Sequence, residues 1–212
     1  MNENLKPLID GEVMGQNLAP VLSAIRSAYF ESNEIANGHE LLNQRNTAMI
    51  RGQLRYFMVQ ACLWQAFERK ELHGFEAEWN PLSGAFECLT LETPSFMIEP
   101  VHVPDMETKP KKSVNREGKV VSNQQVFSSM STMLYGPDES SKIHLFLVHG
   151  NQSLDFISFV CLDTLEKKQP YLFNSSNLLL SIVEGGKVPH EADKEFSPEL
   201  KKEVLKRVER AG

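Results

Sequence analysis

The chain has 212 residues, of which 41% are hydrophobic and 24% are charged, and its formal net charge is −6. This composition is ordinary for a globular domain and excludes a wholly disordered chain. The negative charge disfavours broad, non-specific attraction to nucleic acid or to an anionic membrane surface.

The N-terminal third of the chain predicts an arm followed by two helices. Residues 1–16 show no clean hydrophobic period and are interpreted as an irregular arm, which leaves 17–212 as a single domain. Apolar residues then recur with helical spacing from Leu18 to about Asn33, and a longer helical pattern runs from about Glu40 to Leu72. Gly74 is placed to end this second helix.

After Gly74 the hydrophobic period changes from about 3.6 to about 2, which marks a change from helix to strand. Turn residues divide the region into three predicted strands at 75–79, 85–91 and 96–103. Because the connections are short, we expect these strands to form an antiparallel meander.

Residues 104–121 contain prolines, a glycine and a run of basic residues without an apolar period, so they are predicted to form a long basic loop. Ser122 is a suitable N-cap for a following helix, and Gly136-Pro137 would stop it. The remaining predicted elements are strands at 143–148 and 156–162 forming a central hairpin, an edge strand at 171–173, a helix or strand at 177–183, and a helix from Ser197.

Together these elements predict an α+β domain with N-terminal helices, a mixed or antiparallel sheet built from a meander plus a central hairpin, and a C-terminal helix. The chain has no apolar run long enough to span a bilayer and no signal-peptide pattern, so we expect a cytoplasmic protein. Three cysteines, each within an apolar run, are expected to be reduced core residues: Cys62, Cys88 and Cys161. The sequence does not indicate the oligomeric state.

Charge is segregated along the sequence. Between Glu71 and Glu107 there are eight acidic residues and no lysine or arginine, whereas the next stretch is basic. We expect the acidic residues to bind a basic protein partner and the basic ones to bind an acidic partner or nucleic acid. The predicted partner-binding residues are Glu76, Glu78, Glu87, Lys109, Lys111, Lys112 and Arg116. Alternatively, the acids are neutralised within the protein by the helix arginines Arg45, Arg51 and Arg55.

No intact catalytic set is visible in the sequence. His144 and His149 are five residues apart, which places them on opposite faces of one strand, and the histidines are expected to be structural. Cys161 has no basic neighbour in the sequence that would activate its thiol. We therefore predict no catalytic residue, no metal ligand and no cofactor.

The order helix, three-stranded meander, helix, strand, strand between residues 40 and 163 resembles the core of restriction-endonuclease-like folds, the PD-(D/E)xK nucleases. In that family an acid on the second strand and a Glu-x-Lys on the third bind a divalent metal ion. The corresponding strand here reads Ile98-Glu99-Pro100-Val101, so a valine stands where the lysine would be. The resemblance implies a divergent nuclease that uses Glu87 and Glu99 with a lysine from elsewhere, such as Lys109.

A second resemblance is to uncharacterised bacterial proteins found near toxin-antitoxin or phage-defence genes. It rests on Arg45 and Ala48, on Asn123-Gln-Gln125 at a helix entry, and on the strand 143–150. The absence of an intact catalytic set and the charge segregation lead to the main hypothesis, a non-catalytic binding or regulatory protein that engages a protein partner as an antitoxin-like or defence-system component. A DNA-binding regulator is a further alternative, working through the basic loop and the basic residues of the last helix, Lys201, Lys202, Lys206, Arg207 and Arg210.

Overall fold

A computed structural model describes residues 5–40, 42, 44, 47–81, 87–132, 142–151, 153–162, 164, 171–175 and 177–180. These residues form an α+β fold around one six-stranded sheet with the strand order β1-β2-β3-β4-β5-β6. The strands are β1 (Glu76–Pro81), β2 (Glu87–Glu92), β3 (Phe96–Val103), β4 (Ile143–Gly150), β5 (Phe156–Cys161) and β6 (Phe173–Asn174). The predicted fold class is confirmed.

The first three strands form the predicted antiparallel meander, and β4 and β5 form the predicted hairpin. The sheet is mixed because β3 and β4 run parallel, in a register that pairs Phe96 with Ile143 and Val103 with Gly150. A parallel pair needs a crossover connection, and here that connection contains helix α4 (Val114–Thr132). The carboxyl ends of β3 and β4 therefore lie side by side.

Helices cover both faces of the sheet. One face packs Leu145 and Leu147 against the large hydrophobic core that α2 (Leu18–Gly38) and α3 (Ala48–Glu68) share. The alternating residues Phe146 and Val148 point to the other face, where they pack with Val120 of α4. The central strands β4 and β5 are consequently buried between helices on the two faces.

The predicted N-terminal arm is wrong, because the described part of residues 1–16 is helical. It forms α1 (Leu5–Leu8) followed by a π-helix (Ile9–Met14), with Leu5, Ile9 and Val13 buried in the core. These three residues are four apart, a spacing that places them on one helical stripe. The Glu12 carboxylate ties the segment to the β2–β3 turn by accepting hydrogen bonds from the Thr93 and Ser95 side chains and from the Ser95 N–H.

The two long helices are confirmed, with shifted ends. α2 continues beyond Asn33 to Gly38 because Ala36 extends its buried stripe. α3 begins at Ala48, after a turn in which the Thr47 hydroxyl donates to the Leu42 carbonyl oxygen. It ends at Glu68, earlier than predicted, and both Lys70 (φ 60°) and Gly74 (φ 72°) take the left-handed conformation after it.

The predicted long basic loop at 104–121 is wrong in its second half, where α4 begins at Val114 instead of at Ser122. The first two turns of α4 direct Arg116 and Lys119 towards the sheet, and these residues pair with Glu99 of β3. A helix whose buried face is charged shows no apolar period. Further along, the buried Asn123 docks α4 by hydrogen bonding to the His144 N–H and to the His144 and Leu162 carbonyl oxygens.

The short strand β6 pairs with β5 at the edge of the sheet, close to the edge strand predicted at 171–173. A single helical turn follows at 178–180. The Gly136-Pro137 stop and the helix predicted from Ser197 lie outside the described residues, as do Arg45 and the basic residues of that last helix. Within the described ranges, no helix combines the length and apolar composition that crossing a membrane requires.

Candidate functional site

The predicted acidic residues lie on the two strands at the edge of the sheet. Glu76 and Glu78 are exposed on β1 and, being two residues apart, share one face. Glu87 begins β2, where it is paired with Pro81. Paired residues share a face and successive residues alternate, so Pro81 and Glu87 lie on the face opposite to Glu76 and Glu78. The structure therefore brings Glu76 and Glu78 together but not Glu87.

Glu92 of β2 continues the row of acidic side chains that Glu76 and Glu78 begin, and Lys142 lies beside it. Glu92 is paired with Glu76 in the β1–β2 ladder, and its carboxylate accepts a hydrogen bond from the Lys142 ammonium at 2.7 Å. One lysine from the start of β4 thus neutralises the inner end of the row. Glu76 and Glu78 lie at its outer, exposed end.

A buried charged centre lies further in on the same face, around Glu99 of β3. The Glu99 side chain is 5% exposed, and its two carboxylate oxygens are held by different cations. Arg116 donates to Oε1 from Nε at 3.2 Å and from Nη2 at 3.1 Å, and Lys119 donates to Oε2 at 2.6 Å. Burial, assisted by the nearby Lys119 charge, lowers the pKa of the neighbouring His144 to about 4, so this ring is neutral at pH 7. We call Glu99, Arg116 and Lys119 the closed centre.

The predicted basic residues do not form one surface. Lys109 is buried, and its ammonium donates to the Thr164 carbonyl oxygen at 3.0 Å and lies 5.7 Å from the centroid of the Tyr171 ring. Arg116 is partly buried and forms an ion pair with Glu99. Of the predicted basic set, Lys111 and Lys112 are exposed, and two exposed lysines are a small electrostatic footprint for nucleic acid.

The geometry also bears on the resemblance to nucleases. In the register that pairs Leu91 with Ile98, the β2 residue across from Glu99 is Thr90, and Glu87 points to the opposite face. Glu87 and Glu99 therefore cannot hold one metal ion together. The lysine near Glu99 is Lys119, not Lys109. Among the described residues, no group of three or more histidine, cysteine, aspartate or glutamate side chains is arranged to hold a metal ion.

The thiols show no sign of activation. The three cysteines are buried thiols, as expected, and burial raises the pKa of the Cys88 thiol to about 11. Burial also raises the pKa of the Cys62 thiol well above its usual value. A thiol that stays protonated at pH 7 is a poor nucleophile.

A second polar centre lies on the other face of the sheet, at the carboxyl ends of the parallel strands β3 and β4. His102 and His149 are register partners there, with ring centroids 5.7 Å apart. The fully buried His149 ring also meets the edge of Tyr29 from α2, with the Tyr29 hydroxyl 3.0 Å from Nδ1. In the open α/β sheets of other proteins, ligands bind outside the carboxyl ends of parallel strands.

Arg55 of α3 completes this centre. Only 7% of the residue is exposed, and its Nη2 donates to the Asn33 side-chain oxygen at 3.2 Å while its guanidinium carbon lies 5.8 Å from the Tyr29 ring centroid. Within the described part of the chain, no carboxylate forms an ion pair with Arg55. The acidic meander thus does not neutralise Arg55, contrary to the alternative considered from the sequence.

Three buried nitrogens of this centre have no hydrogen-bond partner among the described residues: Arg55 Nε, His102 Nε2 and His149 Nε2. Burial lowers the pKa of His149 to about 3, with a smaller contribution from His102. Burial and then the Arg55 charge lower the pKa of His102, so both rings are neutral at pH 7 and Arg55 carries the charge. We call Tyr29, Asn33, Arg55, His102 and His149 the open centre.

Sequence reasoning missed the open centre because it compared His149 with His144, its nearest neighbour in the chain. The partner that matters is His102, which is 47 positions away and adjacent only through the parallel register. One local signal was available, since each histidine is the penultimate residue of an apolar strand. Gly150, which follows His149, is also required there, because a Cβ would lie 1.9 Å from the Val103 carbonyl oxygen.

Comparison of the chain with protein-family models, with curated proteins and with solved structures finds no match.

Proposed function

We propose that the protein is a non-catalytic binding protein that engages a basic protein partner through the outer, acidic edge of its sheet. The observation that carries this proposal is the exposed pair Glu76 and Glu78 on one face of the edge strand β1. Complementary charge steers such partners towards each other and selects against others.

The backbone of β1 supports the same proposal. Among the described residues, β1 has a neighbouring strand on one side only, so its outer N–H and C=O groups can pair with an added strand. Carboxylates on an edge strand discourage pairing with acidic or identical edges while favouring a basic segment. Strand addition would supply the affinity, and Glu76 and Glu78 would supply the selectivity.

The closed centre supports a non-catalytic role. Where the resemblance to nucleases implies a metal-binding carboxylate, Glu99 already has both oxygens engaged by Arg116 and Lys119. The residue across from it on β2 is Thr90, which cannot supply a second carboxylate. An antitoxin-like or defence-system component, located in the cytoplasm, is the more specific form of this proposal.

A divergent nuclease is the second candidate, favoured by the 2.6 Å contact between the Lys119 ammonium and Glu99. It requires cleavage of DNA or RNA in the presence of Mg²⁺ or Mn²⁺, lost in Glu99→Gln. Metal-dependent cleavage by the wild type that is lost in Glu99→Gln would overturn the non-catalytic proposal. Glu87→Gln is the control and should keep any such cleavage, because Glu87 points to the opposite face.

The direct test is capture of partners from cells that express the protein natively, with mass spectrometry as the readout. We expect a basic protein that is retained by the wild type and lost on the double charge reversal Glu76→Lys with Glu78→Lys. Glu87→Lys is the matched control, because it makes the same kind of change on the opposite face of the same sheet edge. Equal retention by all three proteins, or loss with Glu87→Lys alone, contradicts the proposal.

A further inference from the structure

Arg55 is a buried cation whose charge is not balanced by a carboxylate of the described residues. The contacts it does make, with the Asn33 amide oxygen and the Tyr29 ring, are to neutral groups. An uncompensated buried charge is strongly destabilising, and proteins pair such charges or neutralise them. The closed centre of this same protein shows the usual arrangement, in which a buried carboxylate meets two cations.

Two further polar atoms accompany the unpartnered Nε of Arg55. The Nε2 atoms of His102 and His149 are buried and without a partner among the described residues. If the Tyr29 hydroxyl donates to Nδ1 of His149, the neutral ring carries its proton on Nε2 and can donate from there. His102 can likewise donate from Nε2. Three hydrogen-bond donors, one each from α3, β3 and β4, then have no acceptor among the described residues.

The place of these groups in the fold suits a ligand. They sit at the adjacent carboxyl ends of the parallel strands β3 and β4, the edge where open α/β sheets bind ligands. His102 and Asn33 are partly exposed, so the centre can be reached from solvent, whereas Tyr29, Arg55 and His149 are buried and held in place. Buried side chains that are fixed before binding lower its entropic cost.

We infer that the open centre binds a phosphate group, with Arg55, His102 and His149 as hydrogen-bond donors and with Tyr29 and Asn33 as positioning residues. A guanidinium matches the geometry and charge of phosphate oxygens, and three donors from three elements suit a tetrahedral oxyanion. This site lies on the opposite face of the sheet from Glu76 and Glu78 and does not depend on the proposed protein partner. The phosphate can be inorganic or the end group of a nucleotide.

The test is calorimetric titration of the full chain with inorganic phosphate and, separately, with a nucleoside 5′-monophosphate, at constant ionic strength set by chloride. We expect saturable binding by the wild type that Arg55→Met weakens at least tenfold. Arg69→Met is the matched control, because Arg69 is exposed just beyond the end of the same helix and should leave binding unchanged. Tighter binding of the nucleotide assigns the site to nucleotides, and equal binding assigns it to free phosphate.

A second variant keeps the inference testable if Arg55→Met fails to fold. His102→Gln changes a partly exposed residue whose Nε2 has no hydrogen-bond partner among the described residues, and it should weaken phosphate binding several-fold. Absence of phosphate and nucleotide binding by the wild type overturns the inference. Weak binding that is equal in the wild type, Arg55→Met, His102→Gln and Arg69→Met overturns it as well, since it indicates non-specific association with surface cations.

Discussion

The two faces of the central sheet treat buried charge in opposite ways. On one face the closed centre surrounds Glu99 with Arg116 and Lys119, so that every charged group has a partner. On the other face the open centre buries Arg55 beside two neutral histidines and leaves three nitrogens unpartnered among the described residues. Both centres lie on the same sheet and both contain a buried charge, so the comparison concerns whether that charge has an oppositely charged partner.

This difference distinguishes the closed centre, which has a structural role, from the open centre, which is the candidate ligand site. The ion pairs of the closed centre connect α4 to β3, and each charged group there has an oppositely charged partner. An incomplete set costs stability until a ligand completes it, and such costs are typical of functional sites. Of the residues predicted from charge runs, Arg116 belongs to the closed centre and Lys109 donates to the Thr164 carbonyl oxygen, whereas His102 and His149 of the candidate ligand site belong to no charge run.

Breaking the closed centre should have the largest effect. Glu99→Met leaves Arg116 and Lys119 facing each other without an acid, and we expect the free energy of unfolding to fall by about 3 kcal/mol or more. Denaturant unfolding measures this loss. The triple variant Glu99→Met, Arg116→Met, Lys119→Met should recover most of it, because no unpaired charge remains; a triple variant as unstable as the single one would contradict the account.

Acid should weaken the protein through the open centre. The unfolded chain binds a proton on His149 below pH about 6.5, whereas the folded ring, surrounded by Tyr29 and His102 and with Arg55 beyond Tyr29, stays neutral down to about 3. The unfolded state therefore binds more protons in this window. The free energy of unfolding falls as the pH is lowered, by about 1.4 kcal/mol per pH unit for this group.

Urea unfolding between pH 7 and pH 5 measures that slope. His149→Gln should reduce it, with His144 still contributing in the same direction because its pKa is also lowered, to about 4. A slope that His149→Gln leaves unchanged would show that this ring is not buried in its neutral form.

Removing Arg55 should have the smallest effect on stability. Arg55→Met deletes a buried cation without a carboxylate partner among the described residues and retains an apolar chain of similar length, so we expect the free energy of unfolding in phosphate-free buffer to be unchanged or to rise by about 1 kcal/mol. Thermal or denaturant unfolding measures it. A loss as large as that of Glu99→Met would mean that Arg55 has a compensating partner in the folded protein.

The elements with a regular apolar pattern could be predicted from the sequence. β3 is found at the predicted residues 96–103, and the meander and the hairpin follow from alternation and turn residues. The start of α4 could not be predicted, because its buried face is Arg116 and Lys119, and these residues are buried only in the presence of Glu99. Local patterns report burial of apolar side chains, not of charge pairs formed across the fold.

The acidic edge was predicted in part and the open centre was not. Glu76 and Glu78 share a face by strand alternation, but the opposite orientation of Glu87 depends on the β1–β2 register, which the sequence does not reveal. His102 and His149 meet only because β3 and β4 run parallel, and Tyr29 and Arg55 reach them from two different helices. Each of these contacts requires the topology before it can be anticipated.

We claim that each charged group of the closed centre has an oppositely charged partner, whereas the open centre binds an anion. The measurement that tests it most directly is the free energy of unfolding of the wild type, Glu99→Met and Arg55→Met, each with and without inorganic phosphate at equal ionic strength. We predict that phosphate stabilises the wild type and the weakened Glu99→Met variant alike, and that Arg55→Met is near wild-type stability but no longer responds to phosphate. A phosphate response that persists in Arg55→Met, or is missing from the wild type, would contradict the account.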